Sequence, residues 1–110
     1  MMELDEKYVL HIPRHRYVNG ELVDITADEH INDLIDRLNK EGYNSFYKTD
    51  VNGYYKTRCF DEILITIFTS KEGNRKSPKD IFREWFEEYG DVLKQEAWAY
   101  EYNGTMFILE

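Results

Sequence analysis

The run Ile63-Leu64-Ile65-Thr66-Ile67-Phe68-Thr69 sets the strongest limit on what this chain can fold into. It alternates isoleucine on one side, at 63, 65 and 67, with Leu64 and Phe68 on the other. A strand apolar on both faces needs cover on both, which predicts a place inside a sheet rather than at its rim. The run is far shorter than the ~18 apolar residues that span a bilayer.

The flanking segments supply the rest of a sheet and its cover. Residues 8–12 alternate, with Tyr8, Leu10 and Ile12 on one side, and stop at Pro13. Residues 14–25 contain Asn19-Gly20 and read as a short hairpin or a turned loop. Thr26 to Glu29 form a capping box; Ile31, Leu34, Ile35 and Leu38 then make one helical stripe, closed at Gly42. Residues 44–51 and 54–59 flank Asn52-Gly53 and predict a β-hairpin. Ser77 and Pro78 open a second helix, with Ile81, Phe82, Trp85, Phe86 and Tyr89 on its apolar side and Gly90 at its end. Residues 95–102 alternate again, Ala97 and Ala99 against Trp98, Tyr100 and Tyr102. Asn103-Gly104 turns the chain into a last strand at 105–109.

At 110 residues the chain is expected to form one domain, residues 1–110. Its 22 acidic and 14 basic residues leave a net charge of −8, which repels phosphate backbones and anionic lipid. No nucleic-acid or membrane partner is expected. Tyr47, Tyr54 and Tyr55 do mix with Lys48, Lys56 and Arg58 as on base-stacking sheets, but the overall field opposes that use. The acidic start has no leader pattern, and a single cysteine forms no internal disulfide, so the cytoplasm is the expected location.

Signals for chemistry are sparse. His11 and His15 straddle Pro13, and no nearby cysteine completes a tetrahedral set, so neither a metal nor a cofactor is expected. Cys59 follows Arg58, whose charge favours a thiolate, yet no histidine lies beyond position 30 to serve as its base. The carboxylates Asp28, Asp33 and Asp36, and Glu84, Glu87 and Glu88, read as solvated helix faces. Nine tyrosines point to a contact surface, because a tyrosine joins a flat apolar body to a polar tip.

The order of elements gives an α+β fold: a ferredoxin-like split βαβ, with a mostly antiparallel sheet and two helices on one face. Placing Ala97 and Ala99 under the second helix leaves Leu64, Phe68, Trp98, Tyr100 and Tyr102 on the open face. A second copy of the chain is the expected cover. Across residues 8–109 this order resembles the dimeric α+β-barrel proteins, including small bacterial members. The resemblance rests on element order, not on a motif. It implies two sheets packed face to face; some members are monooxygenases or isomerases with a pocket between sheet and helices, and others only bind ligands. The leading expectation is therefore an acidic, non-enzymatic binding or interaction module, homodimeric through the aromatic face. The alternative is a small enzyme of that type, with His11, Tyr47, Arg58 and Cys59 as its polar groups. A third reading is an acidic mimic of nucleic acid that occupies a basic partner.

Overall fold

A computed structural model describes residues 3–24, 28–55, 57–70, 74–93 and 98–109. The elements in chain order are β1 Glu6–Pro13, β2 His15–Val18, β3 Glu21–Asp24, α1 Asp28–Lys40, β4 Phe46–Tyr55, β5 Arg58–Thr69, α2 Pro78–Leu93, β6 Trp98–Tyr102 and β7 Thr105–Leu109. Five strands make one antiparallel sheet in the order β4-β5-β1-β6-β7, and β2 pairs with β3 in a separate ribbon. Both helices lie on one face of the five-stranded sheet, the α+β arrangement expected from the element order.

The register explains the core. Ile63, Ile65 and Ile67 of β5 stand opposite Ile12, Leu10 and Tyr8 of β1, and Leu10 and Tyr8 stand opposite Tyr100 and Tyr102 of β6. Side chains of paired residues share a face. Ile31, Leu34 and Leu38 of α1 and Ile81, Phe82 and Trp85 of α2 close over this layer, all buried. The Trp85 indole N–H donates to the carbonyl of His30 at 2.8 Å and ties α2 to α1.

Local signals hold where the chemistry is backbone-driven. Gly42 takes φ 91°, its N–H reaches the Asn39 carbonyl, and the Tyr43 N–H reaches Leu38, a Schellman closure of α1. Ser77 Oγ accepts the Asp80 N–H at 3.2 Å and caps α2. Asn19 and Gly20, and Asn103 and Gly104, have the positive φ of primed hairpin turns, joining β2 to β3 and β6 to β7. The capping box at Thr26 falls outside the described residues.

Three expectations are corrected. Asn52-Gly53 is not a turn; both residues lie within β4, and β5 is one 12-residue strand. The reversal comes at Thr57, with φ 64°, because pairing Tyr54 with Cys59 and Tyr55 with Arg58 extends the ladder beyond the glycine. The second helix runs past Gly90 to Leu93, whose buried side chain anchors a further turn.

The faces of β6 are also reversed. Trp98 and Tyr100, not Ala99, are buried under the helices: Trp98 meets Trp85 at 4.9 Å between ring centroids and Phe86 at 5.6 Å, while Ala97 falls outside the described residues. Tyr102 shares that side, packed beside Tyr8 at 4.8 Å. Two large indoles bury more apolar surface against each other than alanine could. Ala99 faces the helix-free side with His11, its partner on β1. Of the five residues assigned to the open face, only Leu64 and Phe68 lie there.

Trp98→Ala is expected to cost about 3–5 kcal/mol, as for other buried aromatic truncations. Met106→Ser, on the exposed side of β7, is expected to stay within about 0.5 kcal/mol. Urea unfolding midpoints of the two variants check the contrast.

Candidate active site

The β4–β5 hairpin continues beyond the end of β1, since Pro13 pairs with Glu62 and the hairpin runs on through Cys59 and Arg58. A cleft of about 560 Å³ opens at the root of this overhang, lined by Arg14, Asp50, Val51, Asn52, Asp61 and Glu62. A smaller one of about 320 Å³ adjoins it through Arg14 and Asp61 and is lined also by His15, Asp24 and Asp28.

Arg14 leaves β1 held by its backbone, its N–H donating to the Asp61 carbonyl at 3.0 Å. Its guanidinium donates to Asp28 at the start of α1 and to Asp50 on β4, each at 2.8 Å. That guanidinium holds the Asp50 carboxyl below its ordinary range. His15 stands between Asp24 at 2.8 Å and Asp61 at 3.1 Å.

On the helix-free face, His11 of β1 sits between two carboxylates from its neighbouring strands. Glu62 of β5 is 3.7 Å from Nδ1, and Glu101 of β6 is 3.3 Å from Nε2. Glu62, with help from Glu101, raises the His11 pKa; partial burial opposes the shift but is outweighed. The two carboxylates thus favour the imidazolium over the neutral ring. Glu62 belongs to both groups: it faces His11 and lines the larger cleft. Altogether Asp24, Asp28, Asp50, Asp61, Glu62 and Glu101 surround one arginine and two histidines. Such a centre attracts cations. Among the described residues no group of three histidine, cysteine or acidic side chains has a geometry to hold a metal ion.

The structure separates the four polar candidates. His11 belongs to this centre. Tyr47 shares its face but lies farther along the sheet, opposite Thr66 and 6.4 Å from the Phe68 ring. Cys59 is exposed at the far end of the hairpin, opposite Tyr54, and Arg58 precedes it there. None of the clefts among the described residues gathers the four. The region between sheet and helices, where a pocket was expected, holds the buried side chains of Phe82, Trp85 and Trp98. Sequence reasoning missed Arg14, Asp50, Asp61, Glu62 and Glu101. Glu62 alone left a trace, as the charged member of the alternating series Glu62, Leu64, Thr66, Phe68.

By sequence, the chain matches no family model and no curated protein. By fold it is similar to two solved structures of a phage SAM lyase. One is in the apo state (TM-score 0.59) and one is in complex with S-methyl-5'-thioadenosine (TM-score 0.57). Each likeness covers 99% of this chain and 94% of the other, at 15% sequence identity. A likeness at that identity shows a shared fold.

This finding corrects the kinship with dimeric α+β-barrel proteins. It also overturns the leading expectation of a non-enzymatic interaction module, and the nucleic-acid mimic with it, because the full-length likeness is to an enzyme. No described helix is long and apolar enough to cross a membrane.

The His11 pairing carries a pH signature. A pKa raised by folding adds stability below the ordinary value near 6.5, and that stability is lost as pH rises through the elevated value. His11→Gln is therefore expected to lower stability by about 0.5–1 kcal/mol at pH 6 and by less at pH 9. Urea titrations of both proteins at the two pH values read the difference.

Proposed function

We propose that this protein is an enzyme that cleaves S-adenosylmethionine, and that the cleft lined by Arg14, Asp50 and Glu62 takes the substrate. The observation that carries the reading is the end-to-end fold likeness to a phage SAM lyase, one of whose structures holds S-methyl-5'-thioadenosine. The charge of the cleft supports it. S-adenosylmethionine bears a sulfonium, an ammonium and one carboxylate, so it is a net cation. A carboxylate-rich cleft raises its local concentration and its rate of arrival.

Release of methylthioadenosine breaks the bond between sulfur and the γ-carbon of the methionine chain. Sulfur keeps the bonding pair and becomes a neutral thioether. A lyase adds no water, so the electron pair that refills the γ-carbon comes from the substrate itself. Either the substrate carboxylate oxygen closes a ring, or a carboxylate of the cleft takes a proton from the β-carbon and the C–H pair forms an alkene. Both routes balance, and both destroy the sulfonium charge.

That loss dictates where negative charge is useful. A carboxylate set against the sulfonium would stabilise the ground state more than the transition state and slow the reaction. A carboxylate set against the ammonium, whose charge persists, holds the substrate without that penalty. We assign Glu62 to the ammonium, with Asp50 and Asp61 contributing to the field. Arg14, already fixed by Asp28 and Asp50, is the cationic group on the cleft wall that would face the substrate carboxylate.

Purified protein incubated with S-adenosylmethionine is expected to form methylthioadenosine above the no-enzyme control, as read by liquid chromatography with mass detection. Glu62→Gln is expected to lower kcat/KM by about 10- to 100-fold, the loss of one charge-assisted contact. Raising salt should raise KM several-fold and leave kcat nearly unchanged, because the field acts on binding. Product formation equal to the control in the wild type would overturn the assignment.

A further inference from the structure

Gly53 occupies an odd place for a glycine. It lies inside β4 opposite Phe60 of β5, with Tyr54 and Tyr55 continuing the strand. Its backbone is outside the left-handed region, and the turn comes later, at Thr57. Glycine in a strand interior sacrifices packing and β-propensity, and it often marks close approach of another group. Here the approaching group is a carboxylate. A Cβ at position 53 would lie 3.1 Å from Glu62 Oε2 and 3.2 Å from its Cδ. Those distances are tighter than ordinary contact, so any side chain there would displace the Glu62 head group.

The other side of Glu62 is bounded too. β5 lies between β4 and β1, and His11 on β1 reaches the same carboxylate. The Glu62 head group thus lies between the bare backbone of Gly53, diagonal to it on β4 beside its partner Val51, and the imidazole of His11 on β1. We propose that Gly53 is a positioning residue: its missing side chain sets where the Glu62 carboxylate sits, between His11 and the cleft. The proposal rests on the reading of Glu62 as the substrate-binding carboxylate, and it predicts that filling position 53 harms function without harming the fold.

The test uses Gly53→Ala and Gly53→Val in the full chain. Melting temperatures are expected to hold or rise, since both residues suit a strand better than glycine. Methylthioadenosine formation is expected to fall by about 10-fold in kcat/KM for alanine and about 100-fold for valine, the scale of small misplacements at a reacting site. The His11 ring-proton titration, followed by NMR and assigned with His11→Gln, is expected to shift toward the ordinary histidine value as Glu62 moves. Glu62→Asp should cost less in the Gly53→Ala background than in the wild type, because the shorter side chain tolerates the added methyl.

Wild-type kcat/KM and an unmoved His11 titration in Gly53→Ala would overturn the proposal. So would a loss of activity that merely follows a fall in melting temperature while the titration stays put. If the wild type forms no methylthioadenosine, the functional reading falls, and the His11 titration alone decides the role of Gly53.

Discussion

The pairing register of β5 is the constraint on which the rest of the structure depends. Its odd-numbered residues Ile63, Ile65 and Ile67 complete the core, and its even-numbered residues Glu62, Leu64, Thr66 and Phe68 face away from the helices. A slip of one residue would drive Glu62 under the helices and expel three isoleucines. Burying an unpaired carboxylate and exposing that apolar surface are both expensive, so the core fixes the register. The same register brings Glu62 beside His11 and lays it over Gly53. Site geometry here is a by-product of core packing, obtained without a loop of special conformation.

The two faces of the sheet perform different work. The helix side is closed by large aromatics that interlock, with Trp98 set among Phe82, Trp85 and Phe86. Among the described residues that layer is filled by side chains. Polar function moves instead to the end of the sheet, where β1 stops at Pro13 and the longer hairpin runs on. Arg14 and His15 follow at once, and their ion pairs reach β3, α1, β4 and β5. The break in β1 is therefore both a structural ending and the point from which the cleft is assembled.

How much of this the sequence discloses depends on the range of the interaction involved. Helix stripes, the Ser77 cap, the Gly42 closure and two of three Asn-Gly turns are decided within a few residues, and they are legible. The third Asn-Gly fails because cross-strand pairing of Tyr54 and Tyr55 outweighs local turn preference. The faces of β6 fail for a related reason. Alternation shows that Trp98 and Ala99 point oppositely, but only tertiary packing says which of them is inward. Most of the site is illegible because it joins residues far apart in sequence; Glu101 and His11 are 90 positions apart. His11 could be singled out as a polar residue in an apolar strand, but its two partners depend on strand order.

Charge distribution sharpens what a site of this kind can favour. Cleavage at a sulfonium carries the reacting centre from positive to neutral, so an electrostatic field that merely attracts the substrate does not by itself accelerate the step. Acceleration needs the negative groups to sit away from sulfur and the sulfur itself to lie in less polar surroundings. On the helix-free face the apolar residues nearest to Glu62 are Val51 across the ladder on β4 and Leu64 along the strand. On the proposed reading, a substrate anchored by its ammonium at Glu62, with its sulfonium extended toward Val51 or Leu64, would gain attraction where charge is kept and lose solvation where charge disappears. The alternation of one strand would then supply both halves of the catalytic requirement.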